Sequence, residues 1–163
     1  MVAILTAAKE IALTESILRE YFGQEFSQEM LPRYVDPKNT CVIAVEDGRA
    51  VGLAGCRSGS IGNFLVDNAF TLDDAPEGTF EAMIRALMAI AQNNGSDVMD
   101  IHAPDPSGDN IDRCYRMGFE DSGPCTCCQR SDLMHMRFRF RSFYSIRPSR
   151  SKVYKSVKRI HIR

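Results

Sequence analysis

The sequence predicts an α/β fold in which helices flank a mixed central sheet. Short apolar, β-branched runs alternate with longer stretches in which apolar residues recur every three and four positions. Between residues 63 and 103 a strand, a long helix and a second strand follow one another, which is typical of a parallel crossover within a sheet. With 163 residues, the chain can bury one core and is too short for two ordinary domains.

The first part of the chain predicts a strand, a helix, a loop and a hairpin. Residues 2–6 are a short apolar run, and residues 7–22 carry apolar side chains at helical spacing. Two prolines within residues 30–37 predict a loop. Asp47 and Gly48 form a turn dipeptide between two apolar runs, which is the strongest short-range sign of a β-hairpin. The hairpin strands are residues 40–45 and 49–56.

The second part predicts the longest helix and several strands. Residues 80–91 repeat apolar side chains at spacings of three and four, and Asn94-Gly95 supplies a stop signal. A short helix over 110–117 ends at Gly118. The strands of this part are residues 63–72, 98–103 and 133–140, the last of which closes the body.

The C-terminal segment differs sharply from the rest of the chain in charge. Residues 137–163 contain ten of the twenty Lys and Arg residues and no Asp or Glu, so the first 136 residues hold all twenty-one acidic side chains. We therefore predict a folded domain over residues 1–140 and a basic arm over residues 141–163. Such a separation indicates an acidic partner: nucleic acid, an anionic surface or the acidic domain of a neighbouring copy.

The basic arm supplies the candidate partner-binding residues. We expect them to tether the protein to another subunit in a homo-oligomer, to a larger assembly or to nucleic acid, and we expect no membrane partner. The candidates are the Lys and Arg side chains Arg141, Arg147, Arg150, Lys152, Lys155, Lys158, Arg159 and Arg163.

Cysteine usage and hydropathy favour an intracellular protein. No apolar run approaches the roughly 20 residues that span a bilayer, and the N-terminus lacks the basic flank of a secretory signal. We therefore read the six cysteines as reduced thiols. Cys125 and Cys128 form a CxxC pair without a second such pair, so we expect small buried side chains and no metal site. The expected location is the cytoplasm or a virion particle.

Residues 1–140 resemble the GNAT superfamily of N-acetyltransferases in the order of their elements and in three local patterns. Residues 110–120 look like the short helix of that family and its Gly-Phe turn, and residues 132–136 resemble its final strand. The hairpin with Gly48 and Gly52 also fits. The resemblance implies a GNAT-like fold and an acetyl-CoA site at the start of the long helix.

The cofactor signature of that family is only partly present. Its members bind the pyrophosphate on backbone N–H groups at a helix start, at a motif of Gln or Arg, two residues, Gly, one residue, then Gly or Ala. Here Ala75 replaces the first residue and Phe80 replaces the last small one, so we expect phosphate access to be obstructed. Nearby Asp73, Asp74 and Glu77 would repel phosphate, and we expect Asp73 or Asp74 to cap the helix. If the site is active, its cofactor contacts are Leu72, Gly78, Thr79 and Phe80.

The catalytic residues implied by the resemblance are also incomplete. GNAT enzymes often place a Tyr on the short helix to protonate the leaving thiolate, and that position falls on Cys114. Tyr115 is one step further along and should point elsewhere, because each helical residue turns by about 100°. A base for the attacking amine could be Asp67, Asp100 or His102.

Two functional hypotheses follow. In the first, the protein is a non-catalytic GNAT-like assembly part without a cofactor, tethered by its arm, similar to GNAT-like virion-associated proteins of short-tailed bacteriophages. In the alternative, it is an active N-acetyltransferase that uses acetyl-CoA with an unusual phosphate loop and has Asp67, His102, Cys114 or Tyr115 as catalytic residues.

Overall fold

A computed structural model of the protein describes residues 1–58, 63–103, 109–124 and 134–140. Its seven strands form a single mixed sheet in the order β1-β2-β3-β4-β5-β7-β6. Within these residues, no helix combines the length and hydropathy needed to cross a membrane. The elements are β1 (Ala3–Thr6), α1 (Ile11–Phe22), α2 (Gln24–Val35), β2 (Thr40–Glu46), β3 (Arg49–Ser58), β4 (Asn63–Thr71), α3 (Thr79–Asn93), β5 (Val98–Ala103), α4 (Asp109–Arg116), β6 (Glu120–Pro124) and β7 (Met134–Arg139).

The predicted α/β class and the hairpin are both confirmed. β2 and β3 are antiparallel and joined by Asp47 and Gly48, whose φ angles of 48° and 79° both lie in the left-handed region. A two-residue turn of this kind matches the twist of the flanking strands. β1 adds to the free edge of β2, again antiparallel.

The loop predicted for residues 30–37 is wrong, because α2 runs through Pro32 to Val35. Proline removes one helical hydrogen bond and usually ends a helix. Here Tyr34, which is only 2% exposed, packs into the core on the following turn. Burial of this aromatic ring stabilises the last turn, an effect that local propensity cannot reveal.

Two apolar cores lie on opposite faces of the sheet, as alternation along the strands requires. The first is formed by α3 and α4 against one face. Its fully buried members include Met83, Ile84, Leu87, Met99, Ile101 and Met136. The second is formed by α1 and α2 against β2, β3 and β4. Its members include Ile17, Leu18, Tyr34, Ile43, Leu53 and Phe70.

β4 and β5 are parallel neighbours connected through α3, which confirms the predicted crossover. Both strands therefore end at the same edge of the sheet, and α3 begins at that edge. The loop between β4 and α3, residues 72–78, brings the chain directly from the end of β4 to the first turn of α3.

Candidate functional site

A gap opens between β4 and β5 at the edge where α3 begins. The last paired residues are Val66 and Ile101, although β4 continues to Thr71 and β5 to Ala103. The register between β3 and β4 also shifts here: Gly55 opposes Asn68 and Cys56 opposes Val66, which leaves Asp67 as an extra residue. A bulge of this type bends its strand, so it directs β4 away from β5, and among the described residues no strand pairs with this edge of β4 beyond Val66.

The start of α3 is open towards the same edge. Gly78 takes the position before the first helical residue with φ 84°, and no side chain caps the helix. In the described structure, the backbone N–H groups of Gly78, Phe80 and Glu81 meet no backbone acceptor. A Cβ added to Gly78 would find no atom within 4 Å. Unpaired N–H groups at a helix start carry partial positive charge, so this is a place where an anion can bind.

Phe80 does not obstruct the helix start, and the prediction that it would is wrong. Its side chain is 2% exposed and belongs to the first core. Thr79 is equally buried, and its hydroxyl donates to the carbonyl of Pro76 at 2.7 Å. Leu72 packs into the second core. Among the four predicted cofactor contacts, Gly78 therefore offers open backbone, whereas the other three side chains point into the protein.

The acidic residues of the loop are arranged differently from the prediction. Neither Asp73 nor Asp74 caps α3, since Gly78 holds the N-cap position and no side chain of the described residues makes a cap hydrogen bond there. Asp74 instead accepts a hydrogen bond from Arg49 at 2.6 Å, and Arg49 also donates to Glu20 at 2.5 Å. The hydrogen bond from Arg49 lowers the pKa of Asp74. Arg49 thereby offsets part of the negative charge beside the helix start.

A buried polar cluster lies next to the gap on the face of β5 and β7 that the first core does not use. Asp100 is 2% exposed and receives two hydrogen bonds from Arg137, at 2.7 and 2.9 Å. His135 Nε2 lies 3.2 Å from the same carboxylate but without hydrogen-bond geometry. Burial by itself would raise the pKa of Asp100, but Arg137 and His135 outweigh burial and lower it. Asp100 is therefore engaged in an ion pair and is a poor candidate for the base.

His102 is the predicted base that the structure places best. It follows Ile101, the last residue of β5 that pairs with β4, and therefore lies where the gap begins. Its side chain is 6% exposed, and its ring meets that of His135 edge to face, with centroids 5.4 Å apart. The backbone of Asp67 forms the bulge on the facing strand, while its side chain lies outside the described part of the structure.

The two candidates on α4 occupy different environments, as predicted. Cys114 is fully buried in the first core, whereas Tyr115 is 45% exposed. Cys114 thus occupies a position suited to a small apolar side chain. Tyr115 projects from a different, solvent-facing side of the helix, which agrees with the 100° turn per residue.

Several predictions concern residues outside the described part of the structure. These are the CxxC pair Cys125 and Cys128 and all eight basic candidates of the arm, Arg141, Arg147, Arg150, Lys152, Lys155, Lys158, Arg159 and Arg163. The domain boundary at residue 140 and the acidic partner of the arm stay predictions.

Sequence reasoning did not identify Arg49, His135 or Arg137 as parts of this region. Arg49 lies 25 and 29 residues from its two partners, and Arg137 lies 37 residues from Asp100. No local spacing signals such pairs, because they form only after the sheet is assembled. The alternation of His135 and Arg137 with the buried Met136 did signal a polar strand face.

Comparison with known proteins identifies the architecture. No family model and no curated protein matches the chain. Among solved structures, the ribosomal-protein-S18-alanine N-acetyltransferase from Escherichia coli superposes with a TM-score of 0.68 at 12% identity, covering 87% of this chain and 96% of that one. A GNAT-family acetyltransferase structure from Desulfovibrio desulfuricans gives 0.65 at 15% identity, over 85% and 99%. An aminoglycoside 6'-N-acetyltransferase complexed with coenzyme A gives 0.61 at 12% identity, over 84% and 94%.

At these identities the comparison establishes the fold. The chemistry of the site has to be argued from its own residues. The likeness covers 84–87% of this chain and 94–99% of these three solved structures. The chain has the fold of the GNAT acetyltransferases.

Proposed function

We propose that the protein binds acetyl-CoA and transfers the acetyl group to an amine. The observation that carries this proposal is the open start of α3 at the edge where β4 and β5 part. The N–H groups of Gly78, Phe80 and Glu81, which have no backbone acceptor among the described residues, suit the pyrophosphate. The unpaired edge of β4 suits the amides of an extended pantetheine arm, since such an edge can pair with any extended backbone-like chain.

His102 is the base that this arrangement favours. It lies at the inner end of the gap and is shielded from solvent. A neutral imidazole there could take the proton that the attacking nitrogen loses on acylation. A dedicated acid is not essential for the leaving group, because a thiol with a pKa of about 8.5 departs readily as a thiolate. The burial of Cys114 is therefore compatible with turnover.

Isothermal titration with acetyl-CoA tests the proposal, and two glycines of α3 give a matched pair of variants. Gly78 and Gly95 lie at opposite ends of the helix, with φ angles of 84° and 77° and no atom within 4 Å of an added Cβ. Asparagine tolerates such φ angles. In Gly78→Asn the new side chain occupies the phosphate position and competes for its N–H donors.

We expect Gly78→Asn to weaken acetyl-CoA binding at least about tenfold, because the phosphate loses charge-assisted hydrogen bonds from the helix start. The control variant Gly95→Asn should bind acetyl-CoA like the wild type. Release of free thiol in the presence of small amines, an aminoglycoside or an alanine-ended peptide then reports transfer. Absence of wild-type binding at millimolar acetyl-CoA would refute the proposal. Equal weakening in both variants would show that the helix start is not the site.

A second candidate function is a non-catalytic assembly role, in a particle such as a virion or on nucleic acid. It is favoured by the separation of charge, with ten basic and no acidic residues in 137–163. The exposed acidic side chains Asp73 and Glu77 beside the helix start also favour it, since they repel phosphate.

Deletion of residues 142–163 tests this role. We expect the truncated protein to keep its circular dichroism spectrum and to lose association with DNA or with its native partner on gel filtration. For nucleic acid, the affinity of the full chain should fall steeply with salt, because each neutralised phosphate releases counterions. Unchanged association after deletion would count against a tethering arm.

A further inference from the structure

Three charged side chains meet between α3 and α4, beside the open helix start. Glu81, in the first turn of α3, has its Oε1 3.7 Å from Arg113 Nε and 3.8 Å from Arg116 Nη2. Both arginines lie in the last turn of α4. We call these three residues the α3–α4 ion cluster.

The carboxylate of this cluster is incompletely satisfied. Both distances to the arginines are longer than a hydrogen bond, and in the described structure Glu81 Oε2 is buried without a hydrogen-bond partner. A buried carboxylate oxygen without a donor is unfavourable. The arginines remain accessible, since the side chain of Arg113 is 31% exposed and that of Arg116 is 67% exposed. An anion that offers better hydrogen-bond geometry could therefore replace Glu81 as their partner.

The cluster also lies close to the free N–H groups. Side chains on a helix lean towards its N-terminus, so the Glu81 carboxylate leans towards Gly78. The two guanidinium groups that it attracts are thus held beside the helix start. Phosphate oxygens there could contact the backbone N–H groups and the guanidinium groups together.

We infer that Arg113 and Arg116 bind the phosphate groups of coenzyme A, and that Glu81 holds them in position as an internal anion until the cofactor displaces it. This inference rests on the proposed acetyl-CoA site. It supplies, from α4, the positive charge that the loop lacks at Ala75. Glu81 then acts as a competitor whose removal strengthens binding, whereas removal of either arginine weakens it.

Titration of the full-length protein with coenzyme A at low ionic strength tests this exchange. Glu81→Gln should tighten binding up to about fivefold, and Arg113→Gln or Arg116→Gln should weaken it by a similar factor, the upper range for partly exposed ion pairs. The effects should shrink at high salt, because exposed charges are screened. Thermal melts of each variant establish that it is folded.

Two neighbouring residues provide matched controls. Glu77→Gln removes the same charge from the preceding loop, and Arg85→Gln removes a guanidinium from the exposed side of α3. Arg85→Gln should bind like the wild type. Glu77→Gln should bind more tightly by a smaller factor than Glu81→Gln, because the exposed Glu77 carboxylate repels phosphate only through screening solvent. A gain in Glu77→Gln equal to that in Glu81→Gln would reduce the effect to net charge and overturn the inference.

The remaining outcomes separate this inference from the proposed function. Wild-type binding that none of the three cluster variants alters would overturn the inference and leave the acetyl-CoA site standing. Binding that Glu81→Gln tightens but that neither arginine variant weakens would show that the arginines do not contact the phosphates, and it would overturn the inference. Absence of binding by the wild type and all variants would overturn both.

Discussion

The two halves of the sheet are built in different ways. In the half formed by β2, β3 and β4, with β1 at its edge, apolar side chains are buried on both faces, under α3 on one side and under α1 and α2 on the other. In the half formed by β5, β7 and β6, one face joins the first core, while the other carries a polar cluster of buried Asp100 and His102 and half-buried His135 and Arg137. The gap lies at the boundary between these halves.

This difference separates a scaffold from a site. A strand with apolar side chains on both faces is stabilised by burial alone and can pair along its whole length. β4 loses its pairing to β5 where the polar half begins, and the polar groups there are held by hydrogen bonds and ion pairs. We therefore expect substitutions in the first half to change stability through apolar packing, and substitutions in the polar half to change it through lost hydrogen bonds and ion pairs.

The largest effect should come from the buried ion pair of the polar half. Asp100→Ala removes a carboxylate that accepts two hydrogen bonds from Arg137 and leaves that guanidinium without its buried partner. Because the Arg137 side chain is 31% exposed and water can partly solvate it, we expect the free energy of unfolding to fall by about 2–3 kcal/mol, which is less than for a fully buried pair. Urea denaturation followed by circular dichroism measures this change.

The matched control is the exposed ion pair of the other half. Arg49→Gln removes a guanidinium that binds Asp74 and Glu20 in a solvent-exposed position. Because water screens such pairs, its midpoint of denaturation should scarcely change. Equal destabilisation by the two variants would contradict the distinction between a buried polar cluster and a surface pair.

Alanine substitution at two glycines of β3 should lower the stability by smaller and unequal amounts. A Cβ at Gly55 would lie 2.8 Å from Cε1 of the Tyr34 ring, which is enclosed in the second core. A Cβ at Gly52 would lie 2.8 Å from the terminal methyl of Met83, at the end of a flexible side chain. Gly55→Ala should therefore cost about 2 kcal/mol of stability, and Gly52→Ala less, because methionine can rearrange.

Thermal unfolding of the two variants checks the order. The ring of Tyr34 is further restrained by the hydrogen bond that Asn68 Nδ2 donates to its hydroxyl at 2.6 Å. A melting temperature lower for Gly52→Ala than for Gly55→Ala would show that the second core, under α1 and α2, is less tightly packed than its burial indicates.

Much of the fold could be predicted from the sequence, because periodicity and turn chemistry are local. The hairpin at Asp47-Gly48, the long helix and the parallel crossover all follow from such signals. The helix through Pro32 could not be predicted, because it depends on tertiary burial of Tyr34. At the site, Gly78 was identified from its motif. Phe80 also belongs to the apolar repeat over residues 80–91, which indicates an inward side chain. The expectation that it obstructs phosphate came from its position in the motif alone.

The measurement that tests the central claim most directly is a map of amide chemical-shift changes in the full-length protein on addition of coenzyme A. We predict that the largest changes fall on the amides of Gly78, Phe80 and Glu81 and on those of β4 beyond Val66. Changes confined to the basic arm, or no change at millimolar coenzyme, would contradict a cofactor site at the start of α3.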